Sequence, residues 1–160
     1  MPRQDDLPLL DELDSRILDQ LQNDASLTNQ ELAERVHASP PTCLRRVRRL
    51  TEVGVIQKQV AILDPAKFGS TLTALVEVTL DVQAAEKLDE FEARMRAEAA
   101  VLQCYRVSPG PDFLLIAQVK DMPAYHALVH RAFTAQANVR NVRTFFSVHR
   151  AKFETRLTLD

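Results

Sequence analysis

Ser39-Pro40-Pro41-Thr42-Cys43-Leu44-Arg45-Arg46-Val47-Arg48-Arg49-Leu50 decides how the first part of this chain folds. Ser39 is placed to cap a helix whose first position is Pro40, where a missing N–H has no helical partner to lose. At about 100° per residue, Cys43, Val47 and Leu50 fall within one narrow arc. Arg45, Arg48 and Arg49 lie across the opposite side, with Arg46 and Thr42 on its flank. The apolar arc docks on a core and the arginines face outward. Four arginines and no acid between Pro40 and Leu50 make a local positive face suited to phosphate and to base edges.

Upstream, His37-Ala38-Ser39 is a short turn, and Thr28-Asn29-Gln30-Glu31 has the capping-box form with Leu27 and Leu32 as its hydrophobic staple. Two helices joined so tightly, the second of them basic, are a helix-turn-helix in sequence terms. The competing reading is a three-helix bundle with a solvated arginine face. A first helix precedes the pair. Leu10, Leu13, Ile17 and Leu21 share one face, Asp11, Glu12 and Asp14 suit the positive end of the helix dipole, and Asn23-Asp24-Ala25-Ser26 ends it. Residues 1–9 show no period and are expected to form a loose arm.

Downstream, Gly54 is placed to end the basic helix. Val55 to Leu63 alternates and is expected to form a strand or small wing bearing Lys58. These elements make a winged helix-turn-helix domain over 1–63. Asp64-Pro65-Ala66-Lys67-Phe68-Gly69-Ser70 breaks the periodicity and serves as a linker over 64–70. From 71 to 160 the pattern changes. Leu72, Ala74, Val76, Val78 and Leu80 alternate along a strand, and Ala84, Leu88, Phe91 and Met95 repeat at helical spacing. Val101–Val107 is a second strand. After Ser108-Pro109-Gly110-Pro111-Asp112 the order recurs as strand 113–119, helix 122–136 and strand 139–148. Strand-helix-strand twice over predicts a ferredoxin-like βαββαβ domain, making the chain α+β. Val101, Tyr105 and Val107, with Leu75, would leave an apolar patch on the face without helices, and a homodimer would cover it.

A chain of 160 residues buries roughly 70% of its unfolded surface, so it needs no disulfide or metal to fold. The formal charge of −2 excludes a generally basic nucleic-acid coat protein, so the positive face is a local device. Cys43 and Cys104 lie in apolar patterns far apart and read as small core side chains of a reduced, cytoplasmic protein. No apolar run approaches the roughly 20 residues that span a bilayer, and Met1-Pro2-Arg3-Gln4-Asp5-Asp6 lacks a basic leader, so no membrane partner is expected. With three glycines there is no phosphate-cradling loop, and no residue order suggests a nucleophile. His126 and His130 have the i, i+4 spacing of two metal ligands. The inward arc of their helix belongs to Tyr125, Leu128, Val129, Ala132 and Phe133, so both read as surface histidines. No enzyme, metal or cofactor is indicated.

Taken together, Leu13-Asp14-Ser15-Arg16-Ile17-Leu18, Thr28-Asn29-Gln30-Glu31-Leu32-Ala33, Ser39-Pro40, Cys43–Leu50 and Gly54-Val55-Ile56 resemble the Lrp/AsnC feast-or-famine transcription regulators. So do Val107-Ser108, Asp112-Phe113-Leu114-Leu115 and Asp121-Met122-Pro123-Ala124-Tyr125. The resemblance implies a DNA-binding domain, a linking strand, and a ferredoxin-like effector domain that dimerises and often builds octamers. It also implies a small-molecule effector, usually an amino acid. Ser108, Gly110, Asp112, Met122 and Phe145 then fall where the family lines or supports its effector cleft. Asp112 would meet an ammonium group and Met122 and Phe145 a side chain, against the plainer reading of a turn-forming Asp and two packing residues.

Two features depart from the family. Pro41 precedes Thr42 where the family has Thr then Pro. Pro109-Gly110-Pro111-Asp112 replaces Gly-x-aromatic-Asp, so two backbone donors that could hold a carboxylate are lost. On α-helical geometry Thr42, Arg45 and Arg46 are the expected base readers in the major groove of duplex DNA, Arg48 and Arg49 the phosphate contacts, and Lys58 a backbone contact from the wing. The same architecture also resembles the sirohaem decarboxylases, for which His126, His130 and Arg131 would be the relevant set. A stand-alone metabolite-binding module is a third reading.

Overall fold

The structure is a computed structural model that describes residues 8–69, 71–135 and 138–159. Residues 1–7 of the expected arm, Ser70 of the expected linker, Gln136 of the expected last helix and Asp160 lie outside the described residues. Two compact units are present, one drawn from 1–62 with 152–160, the other spanning 63–151.

In the first unit, α1 (Glu12–Asn23), α2 (Asn29–Arg35) and α3 (Pro40–Glu52) enclose Ile17, Leu18, Leu32, Ala33, Val36, Cys43 and Leu50. Each helix begins where a side chain satisfies an orphan N–H. Asp11 accepts from Asp14 N–H at 2.9 Å, Thr28 from Glu31 N–H at 3.2 Å, and Ser39 from Thr42 N–H at 3.3 Å. Asp14 and Glu31 reach back to complete two capping boxes. The turn between α2 and α3 places His37 at φ 54°, and Gly54 at φ 77° closes α3 in a backbone region that favours glycine.

One expectation needs correction in this unit. Val55–Leu63 forms no strand. It pairs with no strand among the described residues, and Val60, Ile62 and Leu63 are exposed. Residues 152–159 group by their contacts with this unit. The Gln22 amide donates to the Leu157 carbonyl at 3.1 Å and accepts from Leu157 N–H at 2.6 Å, and Arg156 pairs with Asp19.

The second unit is β1 (Leu72–Leu80), α4 (Ala85–Ala97), β2 (Val101–Arg106), β3 (Phe113–Val119), α5 (Met122–Val129) and β4 (Val139–Phe146). The sheet is antiparallel throughout in the order β2-β3-β1-β4. Ala74, Val76, Val78 and Leu80 of β1 and Phe113, Leu115, Ala117 and Val119 of β3 point to one face, where Phe91 and Met95 of α4 and Tyr125 and Leu128 of α5 cover them. The period-2 burial along β1 and β3 is what fixes this register. This is the expected α+β, ferredoxin-like plan.

Details differ from the expectation. Ala84 is the exposed N-cap of α4, not an inward residue. The last helix continues beyond Val129 as a π-helical turn, His130–Thr134, and the last strand ends at Phe146. Val101 packs on the helix-covered core and not on the open face, because a bulge between Val101 and Gln103 shifts its register. The open face is nevertheless apolar: Tyr105 pairs with Leu114, and Phe145, Leu75 and Ile116 stand side by side across β4, β1 and β3.

Candidate nucleic-acid interface

Cys43 and Leu50 are fully buried and Val47 packs beside them, so α3 is anchored along one arc. Asn29 Nδ2 donates to the Pro40 carbonyl at 2.8 Å, tying the start of α3 to α2. Thr42 shares a hydroxyl contact of 2.8 Å with the cap residue Ser39, near the N-terminal end of α3. Arg45 and Arg48 are exposed and are held by no ion pair among the described residues. Lys58 is exposed on a stretch without regular structure.

Arg46 and Arg49 lie elsewhere. Arg46 Nη1 is 2.5 Å from Asp11 and 3.2 Å from Asp14, and Arg49 Nη1 is 2.9 Å from Asp14. Arg49 Nη2 also donates to the Leu9 carbonyl at 2.9 Å. The Asp11 carboxyl is held below its ordinary value by the Asp14 N–H first and then by Arg46. The Arg46 guanidinium is pushed up chiefly by Asp11. Like-charge crowding on α3 is thus relieved inside the unit for two of its four arginines, and self-repulsion argues for a nucleic-acid ligand only at Arg45 and Arg48. Sequence reasoning treated Asp11 and Asp14 as dipole partners alone. The signal it passed over is the matched i, i+3 spacing of Asp11/Asp14 and Arg46/Arg49.

The five residues placed in the effector cleft are not gathered within one chain. Asp112 precedes β3 and its carboxylate accepts from Leu80 N–H at 2.7 Å, while its own N–H donates to the Val78 carbonyl at 2.9 Å. It fastens the loop to the end of β1. Val107 N–H donates to the Asp112 carbonyl at 3.0 Å, and Pro109 and Pro111 lack donors, so Ser108 and Gly110 keep loop N–H groups outside the backbone bonds formed among the described residues. Gly110 sits at φ 126°. Met122 opens α5 beyond the other end of β3. Phe145 stands on the open sheet face under the Arg143 guanidinium, 4.7 Å from the ring centre, and Arg143 lies 3.5 Å from Glu77 across the strand.

His126 and His130 are both exposed, and Arg131 is engaged in two 2.8 Å hydrogen bonds to Glu98. Among the described residues no group of three or more His, Cys, Asp or Glu could hold a metal ion. No helix among them is long and apolar enough to cross a membrane.

Residues 10–57 match the winged helix-turn-helix DNA-binding family and residues 73–157 the Lrp/AsnC ligand binding domain. An HTH-type transcriptional regulator of Haemophilus influenzae is 39% identical over 94% of this chain and 89% of its own length. The leucine-responsive regulatory protein of Escherichia coli K12 is 35% identical over 94% of this chain and 92% of its own. Among solved structures, a transcriptional regulator of Neisseria meningitidis in complex with L-Met superposes with a TM-score of 0.85 at 33% identity, covering 94% of this chain and 97% of that one. An AsnC family regulator from Agrobacterium tumefaciens gives a TM-score of 0.85 at 34% identity, covering 93% and 97%. A capped basic helix on a three-helix core, followed by a ferredoxin-like sheet that matches a ligand binding domain, therefore has one identity: the chain belongs to the Lrp/AsnC family of DNA-binding transcriptional regulators.

Proposed function

We propose that this regulator reads specific duplex DNA through α3 and that a small effector of the amino-acid class tunes its assembly or its DNA affinity. The observation that supports the first part most strongly is the pairing of exposed, uncommitted Arg45 and Arg48 with Thr42 on the outer side of a capped, core-anchored helix. Arginine near the N-terminal end of such a helix can pair bidentately with guanine, and arginine further along meets phosphate. Arg45 is the proposed base reader, Arg48 the phosphate contact, and Lys58 an added backbone contact.

The apolar row of Phe145, Leu75 and Ile116, with Tyr105 and Leu114, supports a homodimer in which two open sheet faces bury one another. Two recognition helices related by a two-fold would read an imperfect palindrome with half-sites about one helical turn, or a multiple, apart. The effector reading draws on the ligand binding domain and on the relative solved with L-Met. Ser108 and Gly110 supply the loop donors for a carboxylate, Asp112 shapes the loop, and Met122 and Phe145, separated within one chain, would meet only across protomers. The sirohaem-decarboxylase reading is weakened because Arg131 is taken up by Glu98.

Footprinting on DNA from upstream of the protein's own gene, with and without each of the common amino acids, tests the whole reading. Protected half-sites at helical spacing, altered by one or a few amino acids, are expected. Protection without that spacing would defeat the two-fold geometry, and a footprint that no amino acid changes would defeat the effector.

A further inference from the structure

The acids that hold Arg46 and Arg49 sit at the start of a different helix, and one of them is out of reach of solvent. The Asp14 side chain is 1% exposed and lies between two guanidiniums, at 2.9 Å from Arg49 and 3.2 Å from Arg46. Asp11 takes Arg46 from the other side at 2.5 Å. Two carboxylates therefore offset two guanidiniums, and Leu9 adds a carbonyl to Arg49. Pulling either arginine out to DNA would strand a buried carboxylate beside one remaining partner, a costly exchange in a low-dielectric site. Arg45 and Arg48 carry no such tie among the described residues.

Phosphate contacts raise affinity for every sequence, whereas base contacts discriminate. A helix that exposed all four arginines would gain mostly indiscriminate attraction. We propose that Asp14 is a specificity-determining positioning residue: by binding Arg46 and Arg49 against α1, it confines the DNA contacts of α3 to Thr42, Arg45 and Arg48. The inference rests on the DNA-binding reading above and gives a reason why its residue set leaves out Arg46 and Arg49, which the sequence alone would add.

The test is the salt dependence of binding by the full chain to an operator duplex and to a scrambled duplex. Arg48→Gln should lower the slope of log K against log salt by about 1, Arg45→Gln should shrink the ratio of operator to scrambled affinity, and Arg46→Gln and Arg49→Gln should leave both unchanged. Asp14→Asn, which takes the carboxylate from Arg49 and leaves Arg46 with Asp11, should steepen the slope by about 1 and shrink the ratio of operator to scrambled affinity. A merely structural aspartate would lower both affinities at constant slope. That result, or a slope that falls in Arg46→Gln or Arg49→Gln as it does in Arg48→Gln, overturns the proposal. If Asp14→Asn loses its helical circular dichroism, the Arg46→Gln and Arg49→Gln slopes decide alone: slopes equal to wild type are expected, and a fall in either as large as in Arg48→Gln overturns the proposal. Wild-type protein that binds neither duplex at any salt would instead defeat the DNA reading itself, an outcome that no arm of the variant series imitates.

Discussion

The two candidate sites are built on opposite plans. In the first unit Thr42, Arg45 and Arg48 come from one helix, so a single chain presents them together as soon as α3 is capped and docked. In the second unit Ser108, Gly110 and Asp112 lie before β3, Met122 lies after it, and Phe145 lies on the open face of β4. One chain does not bring those five together. A DNA-reading surface can thus follow from local sequence, while the proposed effector site would need contacts between copies.

The largest expected effects separate the two units. Both tyrosines, Tyr105 and Tyr125, belong to the second unit, so tyrosine fluorescence follows that unit while far-ultraviolet circular dichroism follows both. Phe113 is fully buried and stacks on Phe91 with ring centres 4.5 Å apart. Phe113→Ala should cost about 3 to 5 kcal/mol and move the tyrosine transition in urea. Leu50→Ala, at an equally buried position in the first unit, should cost about 2 to 5 kcal/mol in the dichroism and abolish DNA binding. A tyrosine transition shifted as far by Leu50→Ala as by Phe113→Ala would break the separation.

A smaller effect sharpens the reading of Asp112 as a loop fastener. Asp112→Ala leaves Leu80 N–H without its acceptor and should cost about 1 to 3 kcal/mol. Asp112→Asn keeps a carbonyl acceptor and should recover most of that loss in urea melts of the tyrosine signal. Recovery of stability without recovery of an amino-acid response would assign the carboxylate a ligand role after all.

The pH dependence is smaller again. Glu98 lies below its ordinary value, chiefly through its hydrogen bonds from Arg131, and Asp11 and Glu31 are lowered in their capping boxes by the N–H or hydroxyl groups they accept from. Groups depressed in the folded state contribute stability above their unfolded values and lose it as pH falls through the folded ones. Melting temperature should therefore be flat near neutrality and fall below the ordinary carboxylate range. Glu98→Gln should have a lower melting temperature at neutral pH and a shallower acid limb. An unchanged acid limb would show that the Glu98–Arg131 contact is not formed in solution.

The smallest expected change concerns the C-terminal stretch. Gln22→Ala removes two exposed hydrogen bonds to Leu157 and should cost about 1 kcal/mol or less in the dichroism melt.

Much of the fold was legible because its signals are local. Thr28 and Ser39 announce two helix starts, and alternation along Leu72–Leu80 and Phe113–Val119 fixes which face of the sheet is covered. Asp11, expected inside the first turn with Leu10 on the inward face, is instead the cap of α1, and Leu10 is exposed. What escaped depends on partners distant in the chain. Val55–Leu63 alternates like a strand, yet a strand needs a neighbour, which alternation cannot supply. The bulge after Val101 shifts a side chain that strict period-2 counting assigns to the wrong face. Residues 152–159 join the first unit through a side-chain amide on a backbone, a contact without periodicity. At the candidate site, helical spacing identified the outward Arg45 and Arg48, but it could not tell that Arg46 and Arg49 lean on acids 32 to 35 positions earlier.

The most direct test of α3 as a DNA reader is a fluorescence-anisotropy titration of operator and scrambled duplexes with wild-type protein and Arg45→Ala at matched salt. The account predicts that wild type prefers the operator and that Arg45→Ala loses about 1 to 3 kcal/mol of that preference while still binding both duplexes. Equal affinity of wild type for the two duplexes, or a preference untouched by Arg45→Ala, would contradict it.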